Sequence, residues 1–333
     1  MKLVVMIPAF NEEATLGRAI QEIPSHFADI DCTEIIVVDD GSTDRTVDVA
    51  LAAGAAEVIS LKRNSGLTVA FRTGLTAALR RGADIIVNTD ADCQYVSAEI
   101  PQLIQPILSG EADLVSGDRQ IHKLNHMPAS KKYGNTAGSW LLRTVAGSPV
   151  VDASSGFRAF SRECALRLNP TIGHTYTHQT IIQAIHSGLV IREVPITFRV
   201  SAREGGHSRL ISGVGTHIAK SLLTIVRTLT LYKPLSVLGG GGLALLLLGA
   251  IIGLIPLTSY ISQGNTAGHL QSLLVSTGLA LMGLQLIVFG LLADLVSATR
   301  RLNEETLYQL RLQAVPRNEV QIEASARTAR SGR

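Results

Sequence analysis

Ile85-Ile-Val-Asn-Thr-Asp-Ala-Asp-Cys-Gln94 decides the fold. It opens as a short, β-branched apolar run and ends as a polar segment carrying two carboxylates. A strand buried on both faces reads as a continuous apolar run rather than an alternating one. An Asp-x-Asp pair directly after such a strand therefore belongs on the rim of a parallel sheet, outside the carboxyl ends of the strands, where α/β proteins bind ligands. Carboxylates gathered on one rim repel each other unless a cation joins them. Hard oxygen donors of this kind suit Mg²⁺ or Mn²⁺ bridging a diphosphate, and Gln94 adds a neutral oxygen. Asp90, Asp92 and Gln94 are thus the expected metal ligands.

The same strand-then-polar pattern recurs on both sides of this stretch. Strands are expected at Leu3–Ile7, Glu34–Asp39, Glu57–Leu61, Ile85–Thr89 and Asp113–Ser116, with helices at Thr15–Ile23, Thr43–Ala53, Leu67–Arg81 and Ala98–Ser109. That alternation predicts an α/β domain, a mostly parallel sheet with helices on both faces. The polar residues after each strand become the site candidates: Asn11 and Glu12, Asp39 and Asp40, Asn64, Asp90 and Asp92, Asp118 and Arg119. No GxGxxG follows the first strand and no GxxxxGK[ST] occurs, so a dinucleotide fingerprint and a P-loop are both unsupported. Other residues have structural readings. Asp44 suits the start of a helix capped by Ser42 or Thr43, Gly66 and Gly74 serve turn and packing needs, and Cys93 is a small filler. Arg158 on a short strand is a phosphate ligand or a structural ion-pair member. His174 and His178 stand four apart, but no HExxH spacing supports zinc.

Of 333 residues, 46% are hydrophobic and only 17% charged, below the roughly 25% charged of ordinary soluble domains. The net charge of +3 gives no argument for nucleic acid. Three scattered cysteines, Cys32, Cys93 and Cys164, exclude a disulfide framework and a CxxC metal site. The apolar excess is concentrated after Lys233. Residues 234–293 contain no Asp, Glu, Lys or Arg, and within them Leu235–Ser259 and Leu270–Ala293 are each long enough to cross a bilayer core. The link 260–269 carries no Lys or Arg, whereas Lys220, Arg227, Lys233, Arg300, Arg301 and Arg311 flank the pair. The positive-inside rule then puts both termini and the N-terminal domain in the cytoplasm. Ser212 to Tyr232 has the spacing of an amphipathic interface helix. Gly249 and Gly253, with Gly239 to Gly242, permit close helix contact. The expected organisation is a domain at 1–210, an interface helix at 211–233, a transmembrane hairpin at 234–294 and a cytosolic helix with a disordered tail at 295–333.

Four motifs in order carry a resemblance: Ile7-Pro-Ala-Phe-Asn-Glu-Glu13, Val37-Val-Asp-Asp-Gly-Ser-Thr-Asp44, Asn64-Ser-Gly-Leu67 and Asp90-Ala-Asp-Cys-Gln94. They resemble family 2 glycosyltransferases of the GT-A (Rossmann-like) fold. Ser155-Gly-Phe-Arg-Ala-Phe160, Glu193-Val-Pro-Ile196 and Arg203-Glu-Gly-Gly-His-Ser-Arg209 resemble the polyprenyl-phosphate subgroup, typified by the dolichyl-phosphate mannose synthases. The resemblance implies a nucleotide-sugar site built from Pro8, Phe10, Glu12, Val38, Asp40, Asp90, Ala91, Asp92 and Gln94, closed by a loop with Arg203, Ser208 and Arg209. The family often has Tyr at Phe10 and Lys at Arg209. It also implies an acceptor-phosphate site at Arg119 and Lys131, the latter commonly Arg. Asp92, Arg119, Lys131, Arg203 and Arg209 are the implied catalytic residues.

The implied reaction moves a sugar from a nucleotide diphosphate, GDP-mannose favoured and UDP-sugars next, to a polyprenyl or dolichyl phosphate at a membrane. The implied partners are the donor, the lipid phosphate and the bilayer, with a homo-oligomer left open and nucleic acid excluded. The rivals are a transferase extending another glycolipid or a polysaccharide, and a silent nucleotide-sugar-binding scaffold. Processive polysaccharide enzymes usually carry QxxRW, and the single tryptophan, Trp140, lies outside any such motif. The retained Asp90, Asp92, Gln94, Arg203 and Arg209 argue against the scaffold.

Overall fold

The computed structural model describes residues 1–123, 147–170, 176–199, 234–266 and 268–315, with 132, 135, 136, 139, 140 and 143. Lys131, His174, Arg203, Ser208, Arg209, the expected interface helix and the tail lie outside the described residues. Two compact units form, one of Met1–Ile225 with Glu305–Arg333 and one of Val226–Glu304.

The first unit is built on β1 (Lys2–Ala9), every residue of which from Leu3 onward is buried. This run is flanked by β2 (Cys32–Asp39) and β4 (Ile85–Asn88), both parallel to it, and β3 (Glu57–Ser60) extends the sheet beyond β2. Beyond β4 come β6 (Arg158–Ser161), β5 (Leu114–Asp118) and β7 (Ile191–Pro195). The full order is β3-β2-β1-β4-β6-β5-β7, and only β6 runs antiparallel to its neighbours. The mostly parallel α/β sheet expected from the sequence is the one observed. The antiparallel strand comes from the motif around Arg158, which alternation alone could not orient.

Helices α1 (Leu16–Gln21), α2 (Thr46–Ala52), α3 (Leu67–Arg80) and α4 (Ile100–Leu108) follow β1 to β4. The apolar stripe of α3 (Phe71, Leu75, Ala78 and Leu79) is buried. Gly74 lets this helix approach the sheet, since a methyl there would stand 3.1 Å from Met6 Sδ and 3.2 Å from Val38 Cγ2. A short α5 (Arg162–Arg167) and α6 (Tyr176–His186) complete this layer. Chain order reverses between β1 and β4: β2 and β3 lie to one side of β1, and the later strands to the other. Such a switch point opens a crevice at the carboxyl ends of the two strands, and the segments after β1 and β4 both end there.

The second unit holds α7 (Gly240–Gln263) and most of α8 (Leu270–Ala314). Both helices are long and apolar enough to cross a membrane, with mean hydropathy 2.3 and 2.2 over their apolar windows. Small residues make their seam. A methyl at Gly242 would lie 2.5 Å from the Gly283 carbonyl oxygen, and one at Gly249 would lie 3.0 Å from that of Ser276. Ser276 Oγ donates to the Gly249 carbonyl oxygen at 2.9 Å. With lipid outside, close backbone packing and such bonds hold helices together. The sequence pointed to Gly249 and Gly253 and to Gly239–Gly242, and the tightest crossing is Gly242 with Gly283, a partner it did not name. Helix α8 runs without a break past Asp294. Its final turns belong to the first unit, where the Tyr308 hydroxyl donates to Glu163 at 2.9 Å.

Candidate active site

After β1 the chain turns through Asn11, whose φ of +53° lies in the left-handed region asparagine tolerates. Asn11 is locked to the loop after β2. Its N–H donates to Ser42 Oγ at 2.8 Å, and its Oδ1 accepts from the Thr43 N–H at 2.8 Å. Glu12 is nearly fully buried. Its N–H donates to Thr46 Oγ1, and its carboxylate accepts from Thr15 Oγ1 at 2.9 Å. The expectation that Ser42 or Thr43 caps the next helix is corrected here. Helix α2 starts at Thr46, and Asp44 Oδ1 accepts the Thr46 N–H at 3.0 Å, so the acid itself closes the helix end.

The aspartates of this rim are held by backbone. Asp39 Oδ1 accepts from the Ser42 N–H at 3.0 Å. Asp40 accepts from the Ser65 N–H at 2.7 Å and the Gly66 N–H at 2.9 Å, one on each oxygen. It thereby ties the β2 loop to the start of α3. Gly41 (φ +76°) crosses so close to this segment that a methyl would lie 2.6 Å from the Arg63 carbonyl carbon. Asp92, 6% exposed, accepts from the Gln94 N–H at 3.1 Å. Between them Cys93 takes φ +57°, and its thiol donates to the Thr15 carbonyl oxygen, which locks the β4 loop to α1. Asp90 borders Gly156, where a methyl would stand 3.3 Å from both its oxygens and 3.2 Å from the Tyr176 hydroxyl. Ala91 and Pro8 are buried and Phe10 is half-buried. Val38 is fully buried against α3, so its side chain belongs to the core and only its backbone can face a ligand.

Beneath the rim lies a layer the sequence did not single out. Asn88 Nδ2 donates to the Gly156 carbonyl oxygen at 2.7 Å and to the Tyr176 hydroxyl at 3.0 Å. The Tyr95 hydroxyl accepts from the Gly156 N–H at 2.9 Å, and burial pushes its pKa up to about 12. These groups back Asp90 with neutral polar atoms.

On the far side of the sheet Arg119 follows β5, as expected, but its guanidinium is already engaged. Nε and Nη2 form a fork onto Asp152 at 2.6 and 2.8 Å, and Nη2 also reaches Ser154 Oγ. The ring of Phe198 lies 5.2 Å away. Arg119 still lines a cavity of about 330 Å³ with Glu99, Gln120, Lys123 and Phe198. Arg158, read as a phosphate ligand or ion-pair member, is neither. It is fully buried and donates to the carbonyl oxygens of Thr177 and Ala153 and to Thr180 Oγ1.

Among the described residues, no group of three or more His, Cys, Asp or Glu converges as a closed metal cage. Two carboxylates on an open rim suit a cation that keeps part of its coordination for substrate phosphates, as Mg²⁺ does. The donor set therefore fits a hard dication.

The family model described as Glycosyl transferase family 2 matches residues 4–167. The UDP-N-acetylglucosamine–dolichyl-phosphate N-acetylglucosaminyltransferase of Methanococcus voltae is 32% identical over 215 residues, covering 58% of this chain and 84% of its own. The chain belongs to the family 2 glycosyltransferases. It is therefore a glycosyltransferase with a GT-A domain. The dodecaprenyl-phosphate galacturonate synthase of Rhizobium johnstonii is 27% identical over 311 residues, 90% of this chain and 88% of its own. Among solved structures, glucosyl-3-phosphoglycerate synthase from Mycobacterium tuberculosis, in complex with Mn²⁺, UDP and glucosyl-3-phosphoglycerate, superposes with a TM-score of 0.52 at 27% identity. That match covers 67% of this chain and 79% of the other.

Proposed function

We propose that this glycosyltransferase moves a sugar from a nucleotide diphosphate onto a polyprenyl phosphate at the cytoplasmic face of a membrane, with inversion at the anomeric carbon. The observation that carries this reading is the pairing, in one chain, of a carboxylate rim at the β1/β4 switch point with two helices long enough to span a bilayer. Relatives named for dolichyl and dodecaprenyl phosphate acceptors support it.

The acceptor explains a missing group. A phosphate monoester has a second pKa near ~6, so its attacking oxygen is already ionised at pH 7 and needs no general base. What the reaction requires is charge neutralisation on the departing nucleoside diphosphate. Asp90, Asp92 and Gln94 are the proposed holders of Mg²⁺ or Mn²⁺, which would supply that neutralisation when bound. Arg203 and Arg209, with Ser208, close over the donor. Pro8, Phe10, Glu12, Asp40 and Ala91 border the nucleotide. Arg119 and Lys131 hold the acceptor phosphate, and Lys123 lies in the same cavity as Arg119.

GDP-mannose is the proposed donor. A UDP-sugar is the second reading, favoured by the UDP-N-acetylglucosamine named for the M. voltae relative and by the UDP in the mycobacterial complex. A thermal-shift screen of GDP- and UDP-sugars with Mn²⁺ separates the two. Release of nucleoside diphosphate that depends on added polyprenyl phosphate tests the reaction, and release that ignores the lipid overturns it.

A further inference from the structure

A cavity of about 780 Å³ lies among the edge strand β3, the outer face of α3 and the last turns of α8, all within the first unit. Arg72, Arg80, Arg81 and Arg311 line it against a single acid, Glu57. Glu57 is already used. It accepts from Arg81 Nη1 at 3.0 Å, and Arg81 also pairs with Glu34. Arg311 donates to the carbonyl oxygens of Leu166 and Leu168 at 3.0 and 2.7 Å, which fixes its position without neutralising it. Arg72 and Arg80 have no hydrogen-bond or ion-pair partner for their guanidinium groups among the described residues. Three arginines without an acidic partner among the described residues thus line one concavity. Burial, with Arg72 as a like charge, lowers the pKa of Arg311.

Clustered cations in a recess repel one another unless an anion joins them, and the guanidinium fork matches phosphate oxygens in pairs. The volume is that of a small-molecule site rather than a single ion. Asn169, also on the wall, brings a side-chain amide as a further donor. We infer that this groove binds a phosphate-bearing anion at a site separate from the catalytic rim. Glu57 opens β3 at its amino end, whereas the rim is built after the carboxyl ends of the strands. Arg80 closes α3 thirteen residues from Leu67, roughly 20 Å along the helix axis. The bound anion would brace α3 against Arg311, and α3 begins at the Gly66 that Asp40 holds. The ligand is either a soluble phosphate compound or a phospholipid headgroup.

The test uses the full chain in phosphatidylcholine nanodiscs, at fixed ionic strength and with EDTA present to silence metal-dependent binding at the rim. Titration calorimetry with inorganic pyrophosphate should show binding to the wild type. Arg72→Ala with Arg80→Ala should weaken it about 10- to 100-fold, as expected for lost charged hydrogen bonds. Arg72→Glu, which supplies Arg311 with an internal partner, should abolish it and raise the melting temperature of the ligand-free protein. Repeating the wild-type titration in nanodiscs containing anionic phosphatidylglycerol identifies the source. Lost pyrophosphate binding assigns the groove to a lipid headgroup, and unchanged binding assigns it to a soluble phosphate. Equal affinity in the wild type and the double variant, or no binding to the wild type, overturns the inference.

Discussion

On the β3-β2-β1-β4 side of the sheet, Asp39, Asp40 and Asp92 each accept backbone N–H groups from nearby loops. On the β6-β5-β7 side, Arg119 is matched by Asp152, and Glu193 accepts the N–H groups of Val151 and Asp152 at 2.8 Å. Backbone N–H groups fix the aspartates of the first side without bringing a counter-charge, which leaves that rim suited to the cation proposed for it. On the second side the forked ion pair offsets the Arg119 charge and fixes its position, so the phosphate-holding role proposed there for Arg119 needs the further charge proposed for Lys131. The same residue type, aspartate, is thus held by backbone on one side and by a guanidinium on the other.

The largest expected effect would break the comparison if it failed. Asp92→Asn removes one charge from the rim proposed to hold a dication and a diphosphate. Metal-type charge stabilisation amounts to several kcal/mol, so turnover should fall about 1,000-fold or more, and excess EDTA should do the same to the unmodified protein. Steady-state nucleoside diphosphate release measures both. Full activity in EDTA would remove the metal from the reading and leave the rim's negative charge without a role.

Across the sheet the corresponding change should strike stability instead. Arg119 and Asp152 are 10% and 2% exposed, and deleting one partner of a buried pair costs about 3–5 kcal/mol. Asp152→Ala should therefore lower the unfolding free energy by that amount in urea melts. Burial alone would raise the Asp152 pKa. The Arg119 guanidinium, by charge and hydrogen bond, overrides it and holds the pKa below the ordinary aspartate value of 3.8. A depressed pKa stabilises the fold above that ordinary value, and the contribution is lost as pH falls through the lower, folded one. The stability gap between wild type and Asp152→Ala should accordingly be full at pH 7 and shrink only in strong acid. A gap that closed near pH 6 would rule the pair out as its cause.

The two sides also differ in what the sequence reveals. Asp39, Asp40, Asp90 and Asp92 sit directly after apolar runs, and the groups that hold Asp39 and Asp92 are two or three residues away, so local pattern was enough to put them on the rim. Asp152 is 33 residues from Arg119 and follows no strand. The Thr177 and Thr180 groups around Arg158 are 19 and 22 residues off, on a helix with no signal for that bond. The layer of Asn88, Tyr95, Gly156 and Tyr176 joins segments up to 88 residues apart. Only the Asn88 position, at the last rung of a buried strand, hinted at a polar role there. Likewise Gly242 meets Gly283 because two helices cross at that level, a register that composition does not state.

A smaller effect sharpens the acceptor side, where Arg119 is already paired. If Lys131 supplies the unpaired charge, Lys131→Ala should cost about 10- to 100-fold in acceptor KM or turnover, the value of one charged hydrogen bond to phosphate. Donor KM should stay near normal, and Lys131→Arg should retain activity. Kinetics varying donor and acceptor separately checks this, and a defect confined to the donor would move Lys131 to the diphosphate.

The smallest effect tests whether backbone donors really set the donor side. Gly41 and Gly66 both have positive φ, +76° and +93°, and both lie on the chain segments that Asp40 joins. They differ in space. A methyl at Gly41 would collide with Arg63 backbone at 2.6 Å, whereas nothing lies within 4 Å of one at Gly66. Gly66→Ala therefore adds backbone strain without a clash, about 1–3 kcal/mol. That strain falls on the peptide that donates to Asp40. The expected outcome is a several-fold rise in donor KM with acceptor KM unchanged, because only the β2–α3 tie is loosened. Gly41→Ala should do more, lowering the melting temperature as well, since backbone cannot move aside as a flexible side chain can. If the two variants behaved alike, strain alone would account for both and the close crossing at Arg63 would carry no weight. If neither touched donor KM, the backbone clamp on Asp40 would be architecture, and the donor side would lose the feature that sets it apart from the Arg119 side.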